Sequence, residues 1–157
     1  MTNEVQEFYG NRLRVRACGI CVRDESILLV NHRGLTDGNF WAPPGGGVHF
    51  GEKAAECLAR EFAEETGLTV SVGRFLFACE LVNPPLHAVE LFFEVSPVEG
   101  QLKVGTDPEP NSPALIKDVR FMTWNEVLAT PQQHLHGLFK LIEHPSKITS
   151  LRGYFGL

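Results

Sequence analysis

The chain has 157 residues, of which 43% are hydrophobic and 21% are charged. These are ordinary values for a globular protein, and the length predicts a single domain over residues 1–157. The net charge of −5 argues against non-specific nucleic-acid binding, which requires clustered positive charge. No apolar run approaches the roughly 20 residues of a membrane span, and the polar, acidic N-terminus is unlike a signal peptide. We therefore expect a cytoplasmic protein with neither a nucleic-acid nor a membrane partner.

The first third of the chain predicts a polar N-terminal segment followed by a β-hairpin. Residues 1–10 are mostly polar, with two aromatic residues that could fold onto the body. Residues 13–22, rich in Val, Ile and Cys, predict a strand, and the apolar run 27–30 predicts its partner. Residues 32–39 indicate a loop, and two prolines keep residues 40–44 extended.

The cysteines predict buried, reduced thiols, because three of the four lie in apolar-patterned segments. They are Cys18, Cys21, Cys57 and Cys79. Cys18 and Cys21 form a C-x-x-C pair within a strand pattern, where residues three apart point to opposite faces. Redox or zinc chemistry is therefore not expected at this pair.

Three consecutive glycines, Gly45-Gly46-Gly47, precede a predicted helix over residues 54–66, with Gly67 placed to end it. Glycines permit backbone angles and close approaches that a Cβ would forbid. The segment could therefore turn a carbonyl oxygen toward a metal ion, or it could simply be a tight turn before the helix.

The predicted helix carries an apolar stripe beside a carboxylate stripe, each covering an arc of roughly 100°. The apolar stripe consists of Ala55, Leu58 and Phe62, and the carboxylate stripe of Glu61, Glu64 and Glu65. Like charges at i,i+3 and i,i+4 destabilise a helix by about 0.2–0.5 kcal/mol per pair, whereas a shared divalent cation would reverse that sign. The alternative is a solvated acidic helix face.

The segment after this helix predicts more strands. Residues 69–82 indicate one or two strands, which a proline pair ends, and residues 87–95 indicate a central strand with an apolar middle. Residues 101–104 predict a short edge strand, and the proline-rich residues 105–113 predict irregular structure.

Near the C-terminus, residues 119–122 predict a strand that runs into Thr123-Trp124-Asn125-Glu126. This tetrad has the form of a capping box, so a short helix should begin at Trp124. The apolar spacing over residues 132–143 predicts a second helix, and residues 144–157 have no clear pattern.

The glycine segment and the helix together resemble the Nudix box at every specified position. The matching residues are Gly46, five residues, Glu52, seven residues, Arg60-Glu61-Phe62, one residue, Glu64-Glu65, one residue and Gly67-Leu68. The resemblance implies the Nudix fold, an α/β (α+β) architecture with a mixed β-sheet sandwiched between helices. It also implies Mg²⁺-dependent cleavage of a phosphoanhydride in a nucleoside diphosphate linked to another group, with Mn²⁺ as a substitute. A nucleotide sugar, an ADP-ribose-like compound or a nucleoside triphosphate would be the small-molecule substrate, and a homodimer is compatible with the family.

The resemblance also implies roles for individual residues. The carbonyl of Gly46 and the carboxylates of Glu61, Glu64 and Glu65 would bind the metal, with Glu61 as ligand or base. Arg60 and Glu52 would hold the geometry of the catalytic set.

Further candidates lie outside the box. Glu109, like Asp107, lies in the loop where the family places an additional ligand or general base, although a solvated loop is the alternative. Arg16 and Arg33, like Arg14, could bind phosphates, and Trp41, like Phe40 and Phe50, could stack on a base. Ordinary surface arginines and core aromatics would give the same pattern.

Two other functions are compatible with the fold. A nucleotide-binding sensor without turnover would be expected to lose glutamates of the box, and this chain has all of them. An isomerase like the isopentenyl diphosphate isomerases would need a catalytic cysteine and a histidine-rich metal site, which are not evident near Cys57 or Cys79. The sequence therefore favours a hydrolase.

Overall fold

The computed structural model describes residues 1–106 and 115–157 of the chain. In these two ranges the regular structure comprises three α-helices and nine strands. The helices are α1 (Asn3–Tyr9), α2 (Ala54–Thr66) and α3 (Trp124–Ala129). The strands are β1 (Arg12–Ile20), β2 (Val22–Arg23), β3 (Ser26–His32), β4 (Trp41–Ala42), β5 (Gly45–Gly47), β6 (Leu68–Asn83), β7 (Leu86–Gly100), β8 (Ile116–Thr123) and β9 (Gly153–Gly156). Short 3₁₀ helices cover Gln132–His134, Gly137–Lys140 and Pro145–Ser150.

The strands form two sheets, and the larger one is mixed. Its order is β5-β1-β7-β6-β9, with β1 parallel to β7 and β9 parallel to β6, while the other pairs are antiparallel. The smaller sheet has the order β2-β3-β4, with β8 also paired to β3. The predicted mixed sheet with helices is confirmed, and β7 occupies the predicted central position.

Two hydrophobic clusters hold these layers together. One contains Leu58 and Phe62 of α2 together with Cys21. The other contains Cys18, Phe77 and Phe92, and the rings of Phe77 and Phe92 stack at 4.6 Å. All four cysteines are free and buried, as predicted, and Cys18 and Cys21 belong to different clusters.

Helix α2 follows its sequence signals closely. Leu58 and Phe62 are fully buried, as the apolar stripe predicts, whereas Ala55, the third residue of that stripe, is exposed. The helix ends at Gly67, which adopts the left-handed conformation (φ 74°) and donates its N–H to Ala63. The predicted capping box at Thr123 is also confirmed, since its hydroxyl accepts from the Glu126 N–H at 3.2 Å where α3 begins.

The N-terminal residues form a helix where the sequence predicts only a polar segment without regular structure. In α1, Val5 and Tyr9 lie one turn apart and both are buried. The N–H of Thr2 donates to the carbonyl of Gly34 at 2.8 Å, which fixes the start of the helix on the body. Two apolar residues were too few to reveal a helical period, and contacts with the body stabilise the helix.

The predicted edge strand at residues 101–104 is wrong. Strand β7 ends at Gly100, and the chain then runs along the C-terminal end of α2. The N–H groups of Lys103, Gly105 and Thr106 donate to the carbonyls of Thr66, Glu65 and Glu64 respectively. These carbonyls lack partners within the helix. The N–H groups of the segment therefore bond to the end of the helix and not to a neighbouring strand.

The predicted helix at residues 132–143 is also wrong, because two 3₁₀ helices replace it. Leu135 interrupts the region with extended backbone, and the N–H of His136 donates to the carbonyl of Trp41 at 2.9 Å. The side chains of Leu138 and Phe139 are still buried. The apolar spacing therefore reports burial rather than a continuous helix.

The C-terminal residues complete the larger sheet through β9, which pairs with β6.

In the two described ranges, no helix combines the length and the apolar character that crossing a lipid bilayer would require.

We expect Gly67→Ala to lower the free energy of unfolding by about 1–2 kcal/mol, because an L-residue is strained in the left-handed region. A Cβ at this position would also lie 2.8 Å from the carbonyl oxygen of Gln101. Urea unfolding monitored by circular dichroism measures the change. Gly156→Ala is the matched control, since a Cβ at that position meets open space. Equal stability of the two variants would contradict this account of the helix end.

Candidate active site

A cavity of about 570 Å³ lies between the glycine segment, α2, β1, β7 and the two ends of the chain. Its volume is within the usual range for a small-molecule site. Gly45, Gly46 and Gly47 line it together with Glu61 and Glu65 of α2. Arg14 and Arg16 of β1 line it as well. The cavity therefore combines carboxylates, main-chain groups and cations.

Close backbone approach explains two of the glycines. A Cβ on Gly45, whose φ is 152°, would lie 2.2 Å from the carbonyl oxygen of Ala17. A Cβ on Gly46 would lie 2.3 Å from the carboxyl carbon of Glu61. The N–H of Gly45 also donates to Oε2 of Glu65 at 2.9 Å. Glycines here allow the helix carboxylates to lie directly against the main chain of β5.

The predicted carboxylate stripe is partly buried. Glu61 is 9% exposed and Glu65 is 6% exposed, whereas the side chain of Glu64 is 24% exposed. Burial raises the pKa of Glu61, against the lowering effect of the neighbouring Arg60. A carboxylate in this position needs a cation or donors to stabilise its charge.

Arg60 supplies part of that charge and connects the carboxylates to the loop. Its Nε donates to Oε1 of Glu52 at 2.8 Å, and its Nη1 donates to Glu61 at 2.7 Å and to Glu64 at 3.1 Å. Its Nη2 reaches the carbonyl of Gly47 at 3.3 Å. The hydrogen bonds from Arg60 lower the pKa of Glu52 to about 2. Glu52, Arg60, Glu61 and Glu64 therefore form one network.

The donor groups in this region match the preference of hard divalent cations, which bind carboxylate and carbonyl oxygens. The cradle at Gly46, where no Cβ separates the main chain from Glu61, is consistent with such a site. Among the residues that the structure describes, no three acidic, histidine or cysteine side chains are arranged as ligands of one metal ion. The guanidinium of Arg60 contacts Glu61 and Glu64 in this arrangement.

A second network lies in the same cavity, around the buried carboxylate of Glu90. Arg16 donates Nη1 to Oε1 of Glu90 at 2.5 Å and Nη2 to the carbonyl of Gly45 at 3.0 Å. The other oxygen of Glu90 is 2.7 Å from Nε2 of His136. Nδ1 of His136 accepts from the N–H of Leu138 at 3.2 Å, so Nε2 carries the proton and donates to Glu90.

Arg16 and Glu90 stabilise each other's charge, and His136 adds a hydrogen bond to Glu90. Burial alone would raise the pKa of Glu90, but His136 and Arg16 outweigh it and hold the pKa at about 2. Burial likewise tends to lower the pKa of Arg16, and carboxylates including Glu90, Glu65 and Glu61 reverse that effect and raise it. Nε of Arg16 is buried without a hydrogen-bond partner among the described residues.

Of the remaining residues predicted to bind substrate, the structure places some in the cavity and others outside it. Arg16 lines the cavity, but the side chain of Arg33 is exposed. Trp41 is 6% exposed and packs in the core, where the guanidinium of Arg120 lies 5.0 Å from its ring. Glu109, like Asp107, lies outside the described residues.

Sequence reasoning missed Glu90 and His136. The available signal for Glu90 was a single charged residue inside the apolar run Ala-Val-Glu-Leu-Phe-Phe, since buried charges are rare unless paired. His136 had no comparable signal, because its position depends on the 3₁₀ segment that the sequence did not predict.

We expect Glu90→Gln to flatten the acid dependence of stability. An unfolded glutamate has a pKa of about 4.3, so the depressed value in the folded state stabilises wild type above that pH and the effect is lost as pH falls. From about pH 5 to pH 2, the free energy of unfolding of wild type should fall by about 2–3 kcal/mol more than that of the variant.

Urea titrations at several pH values measure this difference. Glu94→Gln is the control, since Glu94 lies on the same strand with its side chain 41% exposed, and it should keep the profile of wild type. Parallel profiles of Glu90→Gln and wild type would contradict the assignment.

Comparisons with known proteins found a matching family model and similar proteins. The NUDIX domain model matches residues 12–144. The ADP-ribose pyrophosphatase of Methanocaldococcus jannaschii is 34% identical over 91 residues, which cover 57% of this chain and 54% of that protein. The NAD-capped RNA hydrolase ndx-9 of Caenorhabditis elegans is 49% identical over 53 residues, which cover 34% of this chain and 14% of that protein. The matches thus span about half or less of these relatives.

A solved structure shows the same fold. The MutT NUDIX hydrolase from Burkholderia pseudomallei superimposes with a TM-score of 0.67 at 22% identity, covering 85% of this chain and 98% of that one. The family model spans most of the chain, including the glycine segment, the whole of α2 and the strands β1 and β7. This chain therefore belongs to the Nudix hydrolase family.

Proposed function

We propose that the protein is a divalent-metal-dependent pyrophosphohydrolase that cleaves a phosphoanhydride in a nucleoside diphosphate derivative. The observation that carries the proposal is the shared cavity, in which Glu61 and Glu65 line one part and Arg16 another. Carboxylates can hold a cation and an arginine can bind phosphate oxygens. ADP-ribose and NAD-capped RNA, the substrates named for two relatives, both contain a nucleoside diphosphate.

In this proposal Gly46, through its carbonyl, and Glu61, Glu64 and Glu65 would hold Mg²⁺, or Mn²⁺ in its place. The bound cation would neutralise charge on phosphate oxygens and lower the pKa of a coordinated water. Arg16, whose side chain lines the cavity and is 19% exposed, would donate from its guanidinium to a phosphate oxygen. Glu90 supports this role because it fixes the guanidinium through Nη1.

Arg60 and Glu52 would position the carboxylates that hold the metal ion. Arg60 contacts Glu61 and Glu64 at 2.7 and 3.1 Å, so it sets the separation of two proposed metal ligands. Glu52 in turn accepts from Nε and Nη2 of Arg60 at 2.8 and 3.0 Å. Trp41 and Arg33 are left out of the proposed site, because the first is buried in the core and the second is exposed.

With Mg²⁺ present, we expect hydrolysis of at least one member of a panel that comprises ADP-ribose, a nucleoside diphosphate sugar and a nucleoside triphosphate. Product identification by chromatography and mass spectrometry measures it. Excess chelator should abolish turnover, and excess Mg²⁺ or Mn²⁺ should restore it, because the carboxylates act through a bound cation.

Two outcomes would refute this proposal. Turnover that persists undiminished in chelator would remove the metal from the reaction. Tight nucleotide binding without any turnover would instead identify a nucleotide sensor on the same fold.

Glu65→Gln should lower kcat on the order of 100-fold or more, because it removes one negative charge from the proposed metal site. The fold should be retained, since the glutamine carbonyl can still accept the N–H of Gly45. Glu56→Gln is the matched control, because Glu56 lies on the exposed face of the same helix and should keep the kcat of wild type. A kcat for Glu65→Gln equal to that of wild type would exclude Glu65 from the metal site.

A further inference from the structure

One end of the cavity is formed by residues outside the range of the family model. The family model matches residues 12–144. Four residues outside this range line the cavity as well, namely Met1, Val5 and Tyr9 of the N-terminal segment and Leu157 at the other end. The N-terminal segment is anchored at both ends, because the N–H of Thr2 and the N–H of Asn11 each donate to a main-chain carbonyl at 2.8 Å. Residues that the family match does not cover therefore supply one wall of the cavity.

Arg14 lies next to this wall. It precedes Arg16 by two residues on β1, so both side chains lie on the same face of the strand and their attachment points are about 7 Å apart. The β1 register pairs Arg16 with Gly47, so Arg14 is farther from the glycine segment and nearer to α1. The guanidinium of Arg14 lies 4.2 Å from the centre of the Tyr9 ring.

The two arginines differ in their partners. Arg16 is paired with Glu90 at 2.5 Å. Among the described residues, Arg14 has no carboxylate within salt-bridge distance, and its guanidinium instead lies over the Tyr9 ring. Burial, together with the charge of Arg16, lowers the pKa of Arg14 to about 10, so it remains a cation at neutral pH. A partly buried cation in a cavity without a counterion is suited to bind an anion.

We propose that Arg14, held against Tyr9, binds a further phosphate of the substrate, outside the two phosphates that the scissile bond joins. This assignment rests on the proposed function, which places the scissile phosphoanhydride at Glu61, Glu65 and Arg16. The offset along β1 puts Arg14 beyond that position, at the end of the cavity closed by α1. The preferred substrate is therefore a nucleoside diphosphate derivative that carries an additional phosphate beyond the scissile anhydride, such as a nucleoside triphosphate.

Matched substrate pairs test the proposal. ADP and ATP share the anhydride between the first and second phosphates, and GDP and GTP provide a second pair with another base. Wild type should show the higher kcat/KM for the member with the additional phosphate. Arg14→Gln should lower that kcat/KM by about 10- to 100-fold, mainly through KM, and should leave the other member largely unchanged.

Three variants control the interpretation. Arg14→Lys keeps the charge and should retain most of the preference. Tyr9→Leu removes the ring beneath the guanidinium and should weaken the preference in part. Arg74→Gln removes one exposed arginine on the surface, whose side chain is 61% exposed, and should change neither kcat/KM. An equal loss on both members for Arg14→Gln, or no loss on either, would overturn the proposal.

A binding experiment separates this inference from the proposed function. Inorganic tripolyphosphate and pyrophosphate are titrated calorimetrically into metal-free wild type and Arg14→Gln, with melting temperatures to verify folding. The variant should lose affinity for tripolyphosphate more than for pyrophosphate. If wild type hydrolyses nothing in the panel, the proposed function fails, while this titration still decides the role of Arg14. Equal weakening for both anions would overturn the phosphate assignment.

Discussion

The buried carboxylate of Glu90 is the constraint on which the cavity depends. A buried charge is costly unless it is paired, and its two partners come from distant parts of the chain, Arg16 on β1 and His136 in the 3₁₀ segment. Glu90 and Arg16 are also direct partners in the parallel pairing of β7 with β1. A shift in this strand register would leave a charge unpaired, so the network fixes the walls of the cavity relative to one another.

Arg60 has the corresponding role at the carboxylate end of the site. The glutamates of α2 repel one another, and an isolated helix with this pattern would be weakened. The single guanidinium of Arg60 contacts Glu52, Glu61 and Glu64 together, so it joins the loop to the helix while offsetting part of the repulsion. The two networks meet at the glycine segment, since Arg16 contacts Gly45 and Arg60 contacts Gly47.

The parts of the structure that the sequence predicts well are those with local signals. Helix α2 has an apolar period, a terminal glycine and the Nudix spacing, all within about 20 residues. The glycine and the family were confirmed, and the apolar period was confirmed at Leu58 and Phe62 but not at the exposed Ala55. Glu90 and His136 are 46 residues apart, so no local pattern joins them. Arg16 and Arg33 are chemically equivalent in the sequence, and only strand pairing places the first in the cavity. The apolar spacing at residues 132–143 predicted burial correctly and the helix wrongly, because the main chain bonds to Trp41 instead.

The hydrogen bonds from residues 103–106 to the end of α2 have an electrostatic consequence. The C-terminal end of a helix carries partial negative charge, which disfavours carboxylates and favours cations. Glu64 and Glu65 lie in this last turn, and the three donated N–H groups neutralise part of the charge on the helix carbonyls. A cation at these carboxylates would gain from the side chains and from the part of the helix charge that these N–H groups leave. Part of its affinity would thus reside in the main chain, where no single side-chain substitution removes it.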